Sequence, residues 1–330
     1  MNVQNVDLNG RPTVISLFAG CGGSSLGYKM AGYKELLAIE WDDNAIETFK
    51  LNFDSPIEKW DIRELVGQKV LDYCNIKKGE LDLLDGSPPC QGFSTAGKRK
   101  VSDIRNDLVN HNIRLIDEIQ PKVFVIENVS GMVKGKMKGL FIEYMKKMKS
   151  MNYVVKCKLL NAMYYQVPQS RQRLIFMGVR KDLDKDPSYP IPSKKIITVK
   201  EALKNIQNNI LPPLLSNFVK NYVPKMKMGQ NLNDVGYKGG FQTKRINSRY
   251  PSPTLTKIIG GIGFGHHIHP YEDRVLSISE LKRLHTFPDN FKFIGKYQIK
   301  SARIGNSVPP LMMKAIALRI KKDILMVEKW

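Results

Sequence analysis

The chain has 330 residues, enough for one large domain or two moderate ones, and its 42% apolar and 25% charged content is ordinary for a soluble globular protein. A formal net charge of +21 points to an anionic partner, nucleic acid before an acidic membrane surface, although a lysine-rich composition accounts for part of the excess. Four scattered cysteines (Cys21, Cys74, Cys90, Cys157) form no CxxC pair, which argues against a disulfide framework or a zinc site and fits a reducing compartment. No signal-peptide pattern opens the chain and no stretch approaches the length of a membrane span, so a soluble, cytoplasmic protein is expected.

Val14 to Phe18 reads as a strand running into the glycine turn Gly20-Cys21-Gly22-Gly23, followed by a helix from Ser24 to Met30 and a second strand, Glu35 to Ile39, ending at Glu40. A third short strand precedes Trp60 and Asp61. Leu81 to Leu84 and Val123 to Ile126 are further strands, and the patterning predicts helices over Asp107 to Ile119 and Leu140 to Met148. This alternation predicts an α/β class with a doubly wound, mostly parallel sheet covered by helices. From 181 to 270 the chain is rich in Pro, Asn, Gly and Lys with weak periodicity, which predicts a smaller, irregular second domain. Helical patterning returns at Ser279 to Leu284 and from Leu311 to Val327, where Met312, Ile316, Ile320, Ile324 and Val327 form an apolar stripe expected to pack on the sheet.

The turn at Gly20 to Gly23, between strand and helix, lets a ligand approach the backbone and meet helix N-terminal amides. Glu40, about 20 residues on at the end of the second strand, is placed to bind ribose hydroxyls. Trp41 offers a flat face for a purine, and Asp61 an acceptor for an adenine amino group. The turn Phe18-Ala19-Gly20-Cys21-Gly22-Gly23 lacks the GxGxxG spacing that cradles a pyrophosphate, which favours an adenosyl compound without phosphates: S-adenosylmethionine.

After the Leu81 to Leu84 run comes Gly86-Ser87-Pro88-Pro89-Cys90-Gln91. Two prolines hold this loop extended and present Cys90 at a defined place, which suits a nucleophile whose pKa is lowered. Taken alone, the same pattern also suits a small buried thiol at a strand end.

Together these segments resemble the motifs of the DNA (cytosine-5)-methyltransferases, in order and over nearly the whole chain. Phe18 to Gly23 is similar to the first motif, Glu40-Trp41 and Asp61-Ile62 to the second and third, and Pro88-Pro89-Cys90-Gln91 to the catalytic one. Glu127-Asn128-Val129 resembles the cytosine-holding motif, and Gln169-Ser170-Arg171-Gln172-Arg173 the motif with two arginines. Arg274 to Phe291 resembles the ninth motif, with His285-Thr286 in place of the more usual Gln-Gly, and Gly305-Asn306-Ser307-Val308-Pro309 the last.

The resemblance implies that Cys90 adds to cytosine C6, that Glu127 hydrogen-bonds ring N3 and the exocyclic amine, and that Arg171 and Arg173 contact the base carbonyl and nearby phosphates while favouring the thiolate. Glu127 directly follows an apolar run, so burial is expected to raise its pKa. Its implied cofactor set is Phe18, Gly20, Gly22, Gly23, Glu40, Trp41, Asp61, Ile62, Pro88, Leu108, Asn306 and Ser307. The target atoms are unreachable inside a duplex, so the base must be flipped out. DNA contacts are expected from a basic loop carrying Ser94, Lys98 and Arg99, from Gln242 filling the vacated space, from Arg245 reading guanine and from Thr254 on a phosphate. The histidines His266, His267 and His269 suggest a DNA-facing loop rather than a metal site, and none is expected.

The implied enzyme is a monomeric, sequence-specific methyltransferase acting on double-stranded DNA, paired in function with a restriction endonuclease and without membrane attachment. Its catalytic domain would comprise residues 1–182 and 300–330, and its target-recognition domain 183–299. An amino-methyltransferase would carry an aromatic residue after Pro-Pro, where Cys90 stands. A transfer RNA cytosine-5 methyltransferase shares the chemistry but not the long irregular region. A catalytically dead DNA-binding paralogue would be expected to lose Cys90 or Glu127, and both are present.

Overall fold

A computed structural model describes residues 10–89, 107–133, 137–206, 212–239, 243–257 and 267–325. The chain divides into two compact units, one of Met1–Leu160, Gln172–Ile191 and Met313–Trp330, the other of Asn161–Arg171 and Pro192–Met312.

The first unit is built on a seven-stranded sheet in the order β3-β2-β1-β4-β5-β7-β6. Its strands are β1 (Thr13–Leu17), β2 (Lys34–Ile39), β3 (Ile57–Glu58), β4 (Leu83–Gly86), β5 (Val123–Val129), β6 (Tyr153–Asn161) and β7 (Gln172–Arg180). The pairs β1–β2, β1–β4, β2–β3 and β4–β5 are parallel, and β7 lies antiparallel on β5. Strand β1 is buried at all five positions, as a strand covered on both faces must be, and its sequence TVISL accordingly runs nearly unbroken in apolar and β-branched residues. Helices α1 (Gly23–Met30), α2 (Asp43–Lys50), α3 (Gly67–Cys74), α4 (Asp107–Ile119) and α5 (Lys138–Ser150) occupy the connections. The Asp42 side chain starts α2 by accepting from the Ala45 amide at 3.1 Å. One apolar core joins Ile15, Leu17, Leu37 and Ile39 to Leu84, Leu115, Ile116, Phe124 and Ile126.

The expectation of a doubly wound, mostly parallel sheet is borne out. The helices read from the sequence over Asp107 to Ile119 and Leu140 to Met148 appear as α4 and α5, while α2, α3 and the pair β6 and β7 were not read. The helices α2 and α3 are only eight residues long, and β6 sets exposed Lys156 and Lys158 against buried Tyr153 and Val155; β7 carries an unbroken buried run from Leu174 to Val179, a strand signal that the sequence reading passes over.

In the second unit regular structure is sparse, as the Pro- and Gly-rich composition requires: α6 (Val199–Ala202), a two-residue parallel pair of β8 (Lys244–Arg245) with β9 (His267–Ile268), α7 (Ile278–Leu284) and α8 (Tyr297–Asn306). Its own core contains Val219, Val223, Met226, Leu232, Ile268 and Val275. A capping box between Ser277 and Glu280 starts α7. The last helix, α9 (Pro310–Ile320), buries Met312, Ile316 and Ile320, with Ile324 buried beyond its end, and the Ala317 carbonyl accepts from the Tyr33 hydroxyl at 3.0 Å. Val327 lies outside the described residues. No helix among the described residues is long and apolar enough to cross a membrane.

Candidate active site

In an open α/β sheet, ligands bind outside the carboxyl ends of the strands where the winding reverses, which here is the crevice between β1 and β4. The chain leaves β1 through Phe18, whose φ of 56° places a bulky side chain in the left-handed region, a strained conformation that clusters at functional turns. Gly20 (φ 56°) and Gly22 (φ 91°) continue the turn. A Cβ at Gly22 would stand 2.3 Å from the Phe53 ring, whereas one at Gly20 would meet no atom within 4 Å. The first glycine lets the turn pack on the core; the second leaves the backbone open to a ligand.

Glu40 closes this turn from the end of β2. Its Oε2 accepts from the Gly20 amide at 2.7 Å, and its Oε1 from the Trp41 and Asp42 amides at 2.7 and 3.0 Å. A carboxylate offers about four acceptor sites, and with three amides bound one site remains, on Oε2, for a hydroxyl. Beside it the Trp41 ring is 59% exposed, with the Lys59 ammonium 5.8 Å from its centroid. Asp61 receives the Arg63 guanidinium on both oxygens, and this contact holds its carboxyl below the usual range. Ile62 and Pro88 are buried and Leu108 packs against the core. An open glycine turn, a bridging carboxylate with spare acceptor capacity and an exposed indole fit an adenosine moiety, as the sequence predicts.

Along β5 the Glu127 side chain is 12% exposed and ion-paired, its Oε1 2.6 Å from Nε of Arg173, which is itself 14% exposed. The register explains the pair: Val129 lies opposite Arg173 and Glu127 opposite Ile175, so the two side chains are diagonal neighbours on one face. The expected apolar pocket around Glu127 is therefore replaced on one side by a guanidinium.

Arg171 behaves differently from its neighbour in the motif. It is 2% exposed, and its guanidinium donates to the carbonyls of Leu255 (2.8 Å), Gly305 (3.0 Å) and Ser307 (3.1 Å). Expected at the base, Arg171 is instead a tether in the second unit, because buried carbonyls hold its donors. His285, the departure in the ninth motif, serves the same segment: one ring nitrogen is 3.1 Å from Gln169 Nε2, the other 2.9 Å from the Ser307 carbonyl. Asn306, which is exposed, and Ser307 thus sit on a backbone gripped by Arg171 and His285. Gln169 enters the sequence reading only within the motif with two arginines, and its structural role goes unread there, whereas the His285-Thr286 departure is read as a position that supports structure.

Arg245 requires the same correction. Expected to read guanine, it is 4% exposed, donates to the carbonyls of Val223, His269 and Glu272, and pairs with Asp273. A guanidinium so occupied is not available to a base edge. Thr254 is partly exposed, with its hydroxyl on the Ser170 carbonyl at 2.8 Å. His267 bonds the Thr254 carbonyl, and burial lowers its pKa; His269 lies between Glu272 and Glu280. Cys90, Ser94, Lys98, Arg99, Gln242 and His266 lie outside the described residues.

A glycine turn held by a carboxylate, at the carboxyl end of a doubly wound and mostly parallel sheet, places the chain in the class of α/β proteins that take ligands at this crevice. Residues 12–322 match the family model for C-5 cytosine-specific DNA methylase; the chain belongs to this family and is a DNA cytosine-5 methyltransferase. It is 32% identical over 368 residues to the Type II methyltransferase M.XorII of Xanthomonas oryzae pv. oryzae, covering 95% of this chain and 85% of that protein. To M1.HphI of Haemophilus parahaemolyticus it is 34% identical over 333 residues, covering 94% and 87%. A solved Escherichia coli chain assigned to a prophage-encoded DNA modification methyltransferase superposes with a TM-score of 0.79 at 27% identity, covering 94% of this chain and 99% of that one. Spodoptera frugiperda DNMT2, at 18% identity and a TM-score of 0.67 with 92% and 97% coverage, shares the fold.

Proposed function

We propose that this methyltransferase transfers a methyl group from S-adenosylmethionine to C5 of a cytosine flipped out of double-stranded DNA, through a covalent bond between Cys90 and ring C6. The observation that carries the reading is the Glu127–Arg173 pair, at the carboxyl end of β5 and the amino end of the antiparallel β7. Cytosine C5 is a weak nucleophile. Addition of the Cys90 thiolate to C6, with a proton delivered to N3 by Glu127, turns the ring into an enamine whose C5 attacks the methyl. Arg173 holds the Glu127 carboxyl in place and presents positive charge to the base carbonyl. Loss of the C5 proton to water then restores the ring and breaks the C6–S bond, releasing Cys90.

S-adenosylmethionine, when bound, supplies an electrophilic methyl group. Glu40 would take a ribose hydroxyl, Trp41 would stack on the purine, and Asp61 and Ile62 would meet the adenine edge. Gly20 and Gly22 let the backbone approach, with Phe18, Gly23, Pro88, Leu108, Asn306 and Ser307 completing the set. Residues 1–182 and 300–330 form the methyl-transfer domain in this reading, and 183–299 the target-recognition domain. The DNA contacts are Ser94, Lys98 and Arg99 of the methyl-transfer domain and Gln242 and Thr254 of the target-recognition domain. The likeness to Type II methyltransferases supports a cognate endonuclease, and in this reading the enzyme is cytoplasmic and monomeric.

Bisulfite sequencing of phage DNA incubated with the purified protein and S-adenosylmethionine tests the reading. Cytosines protected in one short sequence context are expected, and no protected cytosine in any context refutes it. On 5-fluorocytosine DNA the wild type should form a stable adduct and Cys90→Ser none; an adduct that survives the substitution reassigns the nucleophile.

A further inference from the structure

Among the described residues of the first unit, four buried side-chain polar atoms have no hydrogen-bond partner: Thr48 Oγ1, Ser87 Oγ, Asn112 Nδ2 and Asn128 Nδ2. Three of the four gather at the carboxyl end of β4. Ser87 follows Gly86, the last residue of that strand. Asn128 lies on β5 two residues beyond Ile126, the register partner of Gly86. Asn112, on α4, closes so tightly on the strand end that a Cβ at Gly86 would stand 2.0 Å from its Nδ2. Buried donors are nearly always paired in a native fold, so three exceptions in one place point to a partner from outside the chain.

This place borders the crevice at which the sheet reverses its winding. Leu17 lies opposite Gly86, which sets Ser87 beside the turn from Phe18 to Gly23. Side chains alternate along β4, so Leu84 and Gly86 face α4, while Asp85, 2% exposed, points to the opposite, polar face, where the Tyr28 hydroxyl donates to it at 3.1 Å. Phe18 and Leu108, the latter one turn before Asn112, pack against the same core. Asn112 itself is 1% exposed, in an inward stripe with Val109, Ile113, Leu115, Ile116 and Ile119. An aliphatic side chain would fill this stripe without an unmet donor, so packing does not account for the amide.

Strand order fixes which part of a bound nucleoside reaches these donors. Asp61 and Ile62 follow β3, Glu40 and Trp41 follow β2, and β1 and β4 come next. With the adenine at β3 and the ribose at β2, whatever extends from the ribose lies over the ends of β1 and β4, which two strand spacings carry roughly 10 Å further. In S-adenosylmethionine that extension is the methionyl chain, ending in an ammonium and a carboxylate. An amide nitrogen only donates, so it selects the carboxylate.

We propose that Asn112 and Ser87 bind the carboxylate of the methionyl chain, Asn112 through Nδ2 and Ser87 through Oγ. This rests on S-adenosylmethionine being the methyl donor. Gly86 belongs to the same device, because any side chain there would displace the Asn112 amide. Asn128 spends its oxygen on the Val129 amide at 2.8 Å and lies one strand further from the turn.

Calorimetry on the purified protein, freed of bound cofactor, tests the assignment with three compounds. They are S-adenosylmethionine, its decarboxylated form, which keeps the ammonium, and 5′-methylthioadenosine, which lacks the amino-acid chain. The wild type should bind S-adenosylmethionine about 10- to 100-fold more tightly than the decarboxylated form. Asn112→Leu should weaken S-adenosylmethionine about tenfold or more and the other two by less than about twofold. Ser87→Ala should show the same selectivity with a loss of about threefold to tenfold. Equal losses for all three compounds, no loss for S-adenosylmethionine, or a wild type that does not distinguish the decarboxylated form overturns the proposal. If Asn112→Leu does not fold, Ser87→Ala decides, and an unchanged affinity for S-adenosylmethionine overturns it. A wild type that binds none of the three compounds refutes instead the reading of S-adenosylmethionine as cofactor.

Discussion

Replacing Asp85 by Asn should make the protein's stability less sensitive to pH, and the size of the change follows from the burial of one carboxyl. In the folded chain the Asp85 carboxyl sits at about 7, against 3.8 for an ordinary aspartate. The folded state therefore keeps a proton that the unfolded chain releases between about pH 4 and 7. The contribution is fully present below the unfolded value and is lost as pH rises through the folded one. A gap of about three units corresponds to roughly 4 kcal/mol when complete, of which about 2 kcal/mol has gone by pH 5. Asparagine keeps the shape without the ionisation, so the stability of Asp85→Asn relative to wild type should rise by about 2–3 kcal/mol between pH 5 and pH 8. Melting temperatures of both proteins across this range provide the assay; titrating groups that do not act on Asp85 cancel in the difference, and Glu35, whose charge does act on it, contributes less than the burial. Parallel curves, differing by a constant offset, would refute the claim that Asp85 is protonated by its burial.

Glu127→Gln keeps the hydrogen-bonding outline but has no proton to give, and should lower kcat by about 10²- to 10⁴-fold with the fold intact by circular dichroism. Glu40→Ala leaves the Gly20, Trp41 and Asp42 amides without their acceptor, and should weaken S-adenosylmethionine binding about 10- to 100-fold by calorimetry, with DNA binding unchanged. A Cβ at Gly305 would stand 2.5 Å from the Thr256 carbonyl oxygen, so Gly305→Ala should destabilise the protein by about 1–3 kcal/mol in denaturant titration. Arg245→Met should cost up to about 3 kcal/mol of stability while leaving the methylated sequence unchanged in bisulfite reads, because Arg245 bonds protein carbonyls rather than DNA.

Much of the site was legible because its first part is local. Phe18 to Gly23 and Glu40 belong to one strand–turn–helix–strand unit, whose layout depends on short spacing, and the Gly20 and Trp41 amides bind Glu40 within it. The arginines show where such reading stops. Arg171 and Arg173 are two residues apart and chemically identical, yet one is buried among carbonyls of residues 255–307 and the other pairs with Glu127. Arg245 looked like a base reader for the same reason: sequence shows a guanidinium but not what fills its donors. Asp85 went unremarked because its neighbours Tyr28, Glu35 and Glu127 come from three other elements.

By itself, the sequence determined the alternation of strands and helices, the glycine turn after the first strand and the family to which the order of its motifs belongs. All of these depend on residues near one another in the chain, where periodicity and turn chemistry act directly. Only the tertiary structure decided which charges face each other: the diagonal of Glu127 and Arg173 across an antiparallel register, the carbonyl cage around Arg171, and the polar sheet face that holds a proton on Asp85. Those outcomes depend on burial and strand register, and both arise only when distant segments pack.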